Sequence, residues 1–152
     1  MSHATHQDAE LILKLYDLRR EAVMRQARDF VANFAPSSFE ELMAVTGAFG
    51  TKENAYVRQV YGYWEMVASL IVHGTLNAAL AEDTLGEMYF IYAKIQPFIK
   101  QMRDTMKAPE FLQNLEKVVE GTPEKRERLK RMHERMAEFA KMRAAQAKHT
   151  AA

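Results

Sequence analysis

A chain of 152 residues with 48% hydrophobic and 27% charged side chains has the balance of one globular domain rather than of a disordered segment. Its net charge of +1 is unevenly divided: residues 123–152 carry nine Lys or Arg against four Glu, and residues 1–122 carry twelve against sixteen acidic side chains. The absence of cysteine excludes disulfides, thiolate catalysis and cysteine-ligated zinc.

Helical periodicity runs along most of the chain, and no useful stretch alternates with the period of two that marks a strand. Proline, glycine and capping residues set the predicted boundaries. The predicted long helices are 8–34, 51–73, 85–106 with a kink at Pro97, 109–121 and 123–147. Two shorter segments are also predicted: one begins at a Ser38–Glu41 capping box and ends near Gly47, and the other is capped by Asn77.

These elements predict an all-α fold in a single domain, 1–152. We expect a bundle of about five main helices plus one or two short ones, built on a central antiparallel pair, 51–73 and 85–106, with 8–34 packed across it. Residues 1–7 are expected to be frayed. The N-terminus shows no signal peptide, and apolar runs such as 66–68 and 70–72 are far shorter than the ~20 residues of a membrane span. We therefore expect a cytoplasmic protein.

The stretch VYGYWEMVASLIVHG, residues 60–74, is apolar around most of its helical circumference, which is typical of a central helix. One polar stripe interrupts it, within an arc of roughly 80°. The stripe consists of Arg58, Gly62, Glu65, Ser69 and His73. The structural interpretation is a solvated edge or a buried pair between Glu65 and an arginine such as Arg103, and the functional one is the polar lining of a cleft. We favour the structural interpretation, since buried charges are usually paired.

A binding site for a small apolar ligand would use the aromatic side chains of the two central helices, which have apolar bodies and polar tips. These are Tyr56, Tyr63, Trp64, Tyr89 and Tyr92.

The run YWEMVASLIVHGTLNAALAEDTLGEMYFIYAKIQPFIKQMR carries an aromatic–Glu pair (Trp64-Glu65), a Gly-x-Leu connection and a Pro-Phe-Ile segment ending in Arg103. Over about residues 56–103 the sequence resembles small helical bacterial proteins classed as a domain of unknown function. Asn77 departs from the acidic residue expected at its position. The resemblance implies an all-helical fold, no established activity, and a structural pairing of Glu65 with Arg103.

The motifs of several enzyme classes are missing. No Glu is followed by His three residues later, as di-iron bundles require, and there is no His-Glu-x-x-His and no phosphate-binding glycine loop. His3 and His6 are interpreted as an incidental pair. We therefore predict no metal site and no cofactor. Absence of catalytic activity is favoured over an enzymatic function.

The basic last helix, 123–148, has one narrow apolar seam formed by Leu129, Met132, Met136 and Phe139. Such a seam suits packing on the body or pairing with a second copy. Nucleic-acid or anionic-surface binding is disfavoured, because glutamates are interleaved with the cations and the isoelectric point is near 8.0. The cations are Arg126, Arg128, Lys130, Arg131 and Arg135. The leading hypothesis is a non-enzymatic interaction module that self-associates, and the alternatives are a small apolar ligand or weak nucleic-acid binding.

Overall fold

A computed structural model describes residues 3–151, and within this range it contains helices and connecting segments but no strand. The predicted all-α fold is confirmed. In chain order the helices are α1 (His6–Arg20), α2 (Ala22–Asn33), α3 (Phe39–Thr46), α4 (Lys52–Val72), α5 (Ala78–Thr84), α6 (Glu87–Ile95), α7 (Ile99–Met106), α8 (Gln113–Glu120) and α9 (Pro123–Thr150). None of these helices combines the length and hydropathy needed to cross a bilayer.

Short polar side chains begin most of these helices, as the sequence indicates. Ser38, Asn77 and Thr122 each accept a hydrogen bond from the backbone amide three residues later. Thr5 and Asp8 form a capping box at α1, so this helix starts at His6, inside the segment expected to be frayed. Met1 and Ser2 of that segment lie outside the described residues.

The predicted helix 8–34 is two helices. Glu21 lies between α1 and α2 with φ −55° and ψ 140°, which is not helical, and its carboxylate accepts a hydrogen bond from the amide of Met24. A charged residue with good helix propensity therefore acts as a cap here, a use that the periodic pattern does not reveal.

The segment 85–106 is kinked at the predicted place. α6 and α7 are separated by a single 3-10 turn, Gln96–Phe98, which contains Pro97. The predicted start of the next helix at Pro109 is wrong. Lys107 and Leu112 are both left-handed, with φ of 53°, so the chain turns twice before α8 begins at Gln113.

Helix α4 is the centre of the core, and Val60, Trp64 and Val67 on it are fully buried. Its closest helical neighbours are α2 and α8, whereas α6 lies closest to α8 and α9. α4 contacts α6 through the side chain of Tyr61, whose hydroxyl donates a hydrogen bond to the backbone carbonyl of Ile91 at 3.0 Å. The pairing of 51–73 with 85–106 is thus more distant than we expect from the sequence.

One carboxylate, that of Glu87 at the start of α6, joins both N-terminal helices. It accepts hydrogen bonds from Arg19 of α1 and from Arg28 of α2, the latter at 2.7 Å. The Arg19 guanidinium also lies over the ring of Trp64, 5.4 Å from its centroid. These ion pairs hold the junction of α1 and α2 against α6 and the core.

Lys94 is a buried lysine, 6% exposed, that joins α6 to the end of α2. Its ammonium donates to the carbonyls of Ala32 at 3.1 Å and Phe34 at 2.8 Å and lies over the ring of Phe90. Burial, with a smaller contribution from the charge of Arg143, lowers the pKa of Lys94 to about 8.

This lowered pKa predicts a stability that depends on pH. Between pH 8 and 10 the unfolded chain binds more protons at Lys94 than the folded protein, so the free energy of unfolding rises with pH in this window. Chemical denaturation at pH 7.5 and 9.5 should show the parent gaining on the order of 1 kcal/mol relative to Lys94→Met. Exposed Lys100→Met is the control and should follow the parent at both values. Equal pH dependence in all three proteins would contradict the assignment.

Candidate functional site

A cleft of about 510 Å³ lies beside α4, on the side that carries part of the polar stripe. Its walls are largely apolar and come from several places in the chain, including Thr46 at the end of α3, Phe49 in the connection to α4 and Ile95 at the end of α6. Val57, Tyr61 and Gly62 belong to α4, Met102 and Met106 to α7, and Phe111 and Leu112 to the turn before α8. The volume is within the range of ~300–1,000 Å³ that ligand pockets occupy.

The stripe divides into two parts. Arg58, Gly62 and Glu65 line the cleft. Ser69 and His73 lie at the far end of α4, where the His73 imidazole is 2.9 Å from the Ser69 carbonyl and closes the last turn. The predicted polar lining is therefore made by the first three residues only.

Glu65 holds the cleft together by capping another helix. Its carboxylate accepts hydrogen bonds from the Asn114 backbone amide at 3.1 Å, the Asn114 side-chain amide at 2.8 Å and the Leu115 amide at 2.9 Å. These amides belong to the first turn of α8, whose own N-cap, Leu112, has no side-chain acceptor. A negative charge is also favoured at that position by the helix dipole.

The predicted pairing of Glu65 with Arg103 is not formed. Arg103 instead donates to the Phe111 carbonyl at 2.9 Å and to Glu116 at 2.8 Å. Both side chains therefore fix the start of α8, one from α4 and the other from α7. The left-handed turn at Leu112 determines which groups Glu65 and Arg103 contact. No glycine or asparagine in the sequence indicates this turn.

Arg58 differs from Glu65 in being exposed, and within residues 3–151 its side chain makes no hydrogen bond or ion pair. Glu110, on the opposite side of the cleft, is also exposed and similarly unpaired among the described residues. The rim of the cleft thus has charged groups free for a ligand or partner.

The five aromatic candidates do not gather at one site. Trp64, Tyr89 and Tyr92 are buried in the core, the hydroxyl of Tyr63 donates to the Leu15 carbonyl, and that of Tyr56 donates to Gln26. The cleft has Tyr61 as its tyrosine instead. Ligand binding by the five predicted side chains stays a prediction.

Helix α9 has two halves with different surroundings. In the inner half Leu129 is buried, and Met132 and Met136 are half-buried against the core. In the outer half, residues 137–150, every residue is exposed, including Phe139 at 56% and Met142 at 57%. The predicted apolar seam therefore packs on the body as far as Met136, and Phe139 lies beyond that contact. Met142, three residues after Phe139, belongs to the same exposed apolar surface but lies outside the predicted seam.

The predicted basic surface of α9 is partly used within the protein. Arg126 donates to the Glu120 carbonyl, Arg128 pairs with Glu82, and Lys130 is 3.7 Å from Glu127. Arg131 and Arg135 line a shallow groove against Gly86 and Phe90 of the α5–α6 region. Arg128 lines the same groove as Arg131 and Arg135, whereas Arg126 and Lys130 make separate contacts.

Residues 3–151 hold no cluster of three or more His, Cys, Asp or Glu that could bind a metal ion. The family model described as a domain of unknown function (DUF4760) matches residues 4–122. The chain belongs to this family. The comparisons with curated proteins and with solved structures give no match. The region matched to this family ends at Thr122, the capping residue of α9, so the last helix follows the family domain.

The role of Glu65 as a cap predicts a specific loss of stability. Glu65→Ala removes three hydrogen bonds from the start of α8 and should lower the free energy of unfolding by about 2 kcal/mol. Glu65→Gln retains one acceptor oxygen and should lose less. Urea denaturation followed by Trp64 fluorescence measures both. Glu110→Ala, an exposed carboxylate on the same cleft, is the control and should change stability by less than about 0.5 kcal/mol. An equal effect of the two alanine variants would contradict the capping role.

Proposed function

We propose that this protein is a non-enzymatic interaction module that associates with copies of itself, and that the outer half of α9 is the associating surface. The supporting observation is that residues 137–150 form a helix with every residue exposed, while Phe139 and Met142 on it are large and apolar. Large apolar side chains grouped on an otherwise polar helix are typical of a contact surface.

The inner half of α9 is firmly anchored, which gives the outer half a fixed position. Arg128 pairs with Glu82 at 2.7 Å and lies 4.3 Å above the centre of the Tyr89 ring. The hydroxyl of Tyr89 donates to the same Glu82 carboxylate. His133 is 2.6 Å from the side-chain oxygen of Gln96, on the other side of the helix base. A partner of the outer half would therefore meet a preorganised helix.

The outer half also gains from a partner. Nothing in the described part of the body covers the fourteen residues 137–150, so Phe139 and Met142 stay in contact with water. Methionine and phenylalanine three residues apart on one helical face provide the apolar anchors that helix recognition uses. Contact with another chain would remove these side chains from water and so stabilise the complex.

Removing the two anchors tests the proposal. Phe139→Ala with Met142→Ala keeps helix propensity and touches no buried residue, so the fold is retained and self-association should weaken by at least tenfold. Sedimentation velocity at several protein concentrations measures this. The matched control is Leu13→Ala with Leu18→Ala, two exposed leucines of α1, which should associate as the parent does.

The proposal is wrong if the parent is monomeric at every concentration. It is also wrong if the variant and the leucine control associate equally well, because the contact would then lie elsewhere on the molecule.

A further inference from the structure

We infer that the surface which receives the outer half of α9 is the cleft of a second copy, with Phe139 and Met142 inserted between α4, α7 and the turn before α8. This inference rests on the proposed function, and it adds the identity of the receiving site. It connects the exposed apolar side chains of the outer half of α9 with a largely apolar cleft, in which Phe49 and Met106 are exposed and Val57, Tyr61 and Met102 are buried in the walls.

The opening of the cleft depends on Gly62. This residue lies inside α4 with helical geometry, where alanine would be favoured by ~0.5–1 kcal/mol. A Cβ atom added at Gly62 would have no atom within 4 Å, so neither a positive φ nor a close contact requires glycine there. What glycine does provide is room in the wall of the cleft, since a long side chain at this position would extend into that space.

The dimensions suit a helix face carrying two anchors. Phe139 and Met142 are three residues apart and so lie next to each other on α9. The cleft of about 510 Å³ has walls made of methionine, phenylalanine, leucine and valine side chains. Methionines Met102 and Met106 on one wall are flexible enough to adapt to an inserted ring. Insertion of an amphipathic helix into an apolar groove is a common mode of recognition.

The charges are complementary. The outer half has three basic side chains, Lys141, Arg143 and Lys148, and one acidic side chain, Glu138. The cleft has the exposed carboxylate of Glu110, the carboxylate of Glu65, which is held by the amides of α8, and the single cation Arg58. Residues 1–122 as a whole are acidic, with sixteen Asp or Glu against twelve Lys or Arg. A basic helix is therefore attracted to this surface.

Pairing of two outer halves with each other fits less well. It would bring together two helices that each carry an excess of cations and only two large apolar side chains. The heptad positions that follow Phe139 are Arg143 and Gln146, which do not form a coiled-coil seam. Reciprocal insertion of α9 into the cleft of the partner would close the assembly as a dimer.

Filling the cleft tests the inference. Gly62→Leu places a side chain in the open space, and Gly62→Ala is the matched control with a single added carbon. Both should fold, which circular dichroism and thermal unfolding verify. Sedimentation velocity should show at least tenfold weaker association for Gly62→Leu and unchanged association for Gly62→Ala.

Cross-linking identifies the receiving site directly, and the absence of natural cysteine makes it unambiguous. Met106→Cys places a thiol at the cleft, and Gln146→Cys places one on the anchor face of α9. A mixture of the two variants, treated with a short bismaleimide, should give a cross-linked product that neither variant gives alone. Leu13→Cys in place of Met106→Cys is the control and should give none with Gln146→Cys.

Other outcomes separate this inference from the proposed function. Cleft insertion would be overturned if Gly62→Leu associates as the parent does and cross-links form only between two Gln146→Cys chains. Self-association through α9 would then remain. A monomeric parent would overturn both. A small molecule that co-purifies with the parent in native mass spectrometry, and is lost in Gly62→Leu, would assign the cleft to that ligand and overturn insertion of the helix.

Discussion

Helix α8 begins after Leu112, a left-handed residue whose side chain cannot accept a hydrogen bond, so its first amides need an acceptor from elsewhere in the molecule. Glu65 supplies that acceptor from α4, the helix at the centre of the core. The contact holds the turn before α8 at a fixed distance from α4, and the cleft is the space enclosed between them. The half-buried carboxylate of Glu65 thus has a structural role as a helix cap, and the same contact shapes the candidate site.

Carboxylates connect helices by ion pairs in two other places. Glu87 holds α1 and α2 against α6, and Glu82 holds the base of α9 against α5 and α6. In both joints an arginine also lies over an aromatic ring, which places its alkyl chain and guanidinium in a defined orientation. Partly buried ion pairs of this kind orient helices more than they stabilise the fold. For α9 the result is an inner half fixed on the body and an outer half that is exposed.

Helix type and most helix boundaries could be predicted from the sequence, because they depend on local capping and on Pro97. The break at Glu21 could not, since a glutamate acts there as a cap only through its non-helical backbone. The pairing of Glu65 also escaped prediction. Its partners depend on the left-handed turn at Leu112, which no glycine or asparagine marks. The cleft follows from that turn, so the sequence indicates its polar lining on α4 but not the walls that α7 and the turn before α8 supply.

The claim that α9 of one copy occupies the cleft of another is most directly tested by hydrogen–deuterium exchange at rising protein concentration. Exchange reports amide protection segment by segment and needs no substitution. If α9 inserts into the cleft, protection increases together in the outer half of α9 and in residues 102–112, with the same concentration dependence. Protection that stays constant in both segments, or that rises in α9 while residues 102–112 remain unchanged, would contradict it.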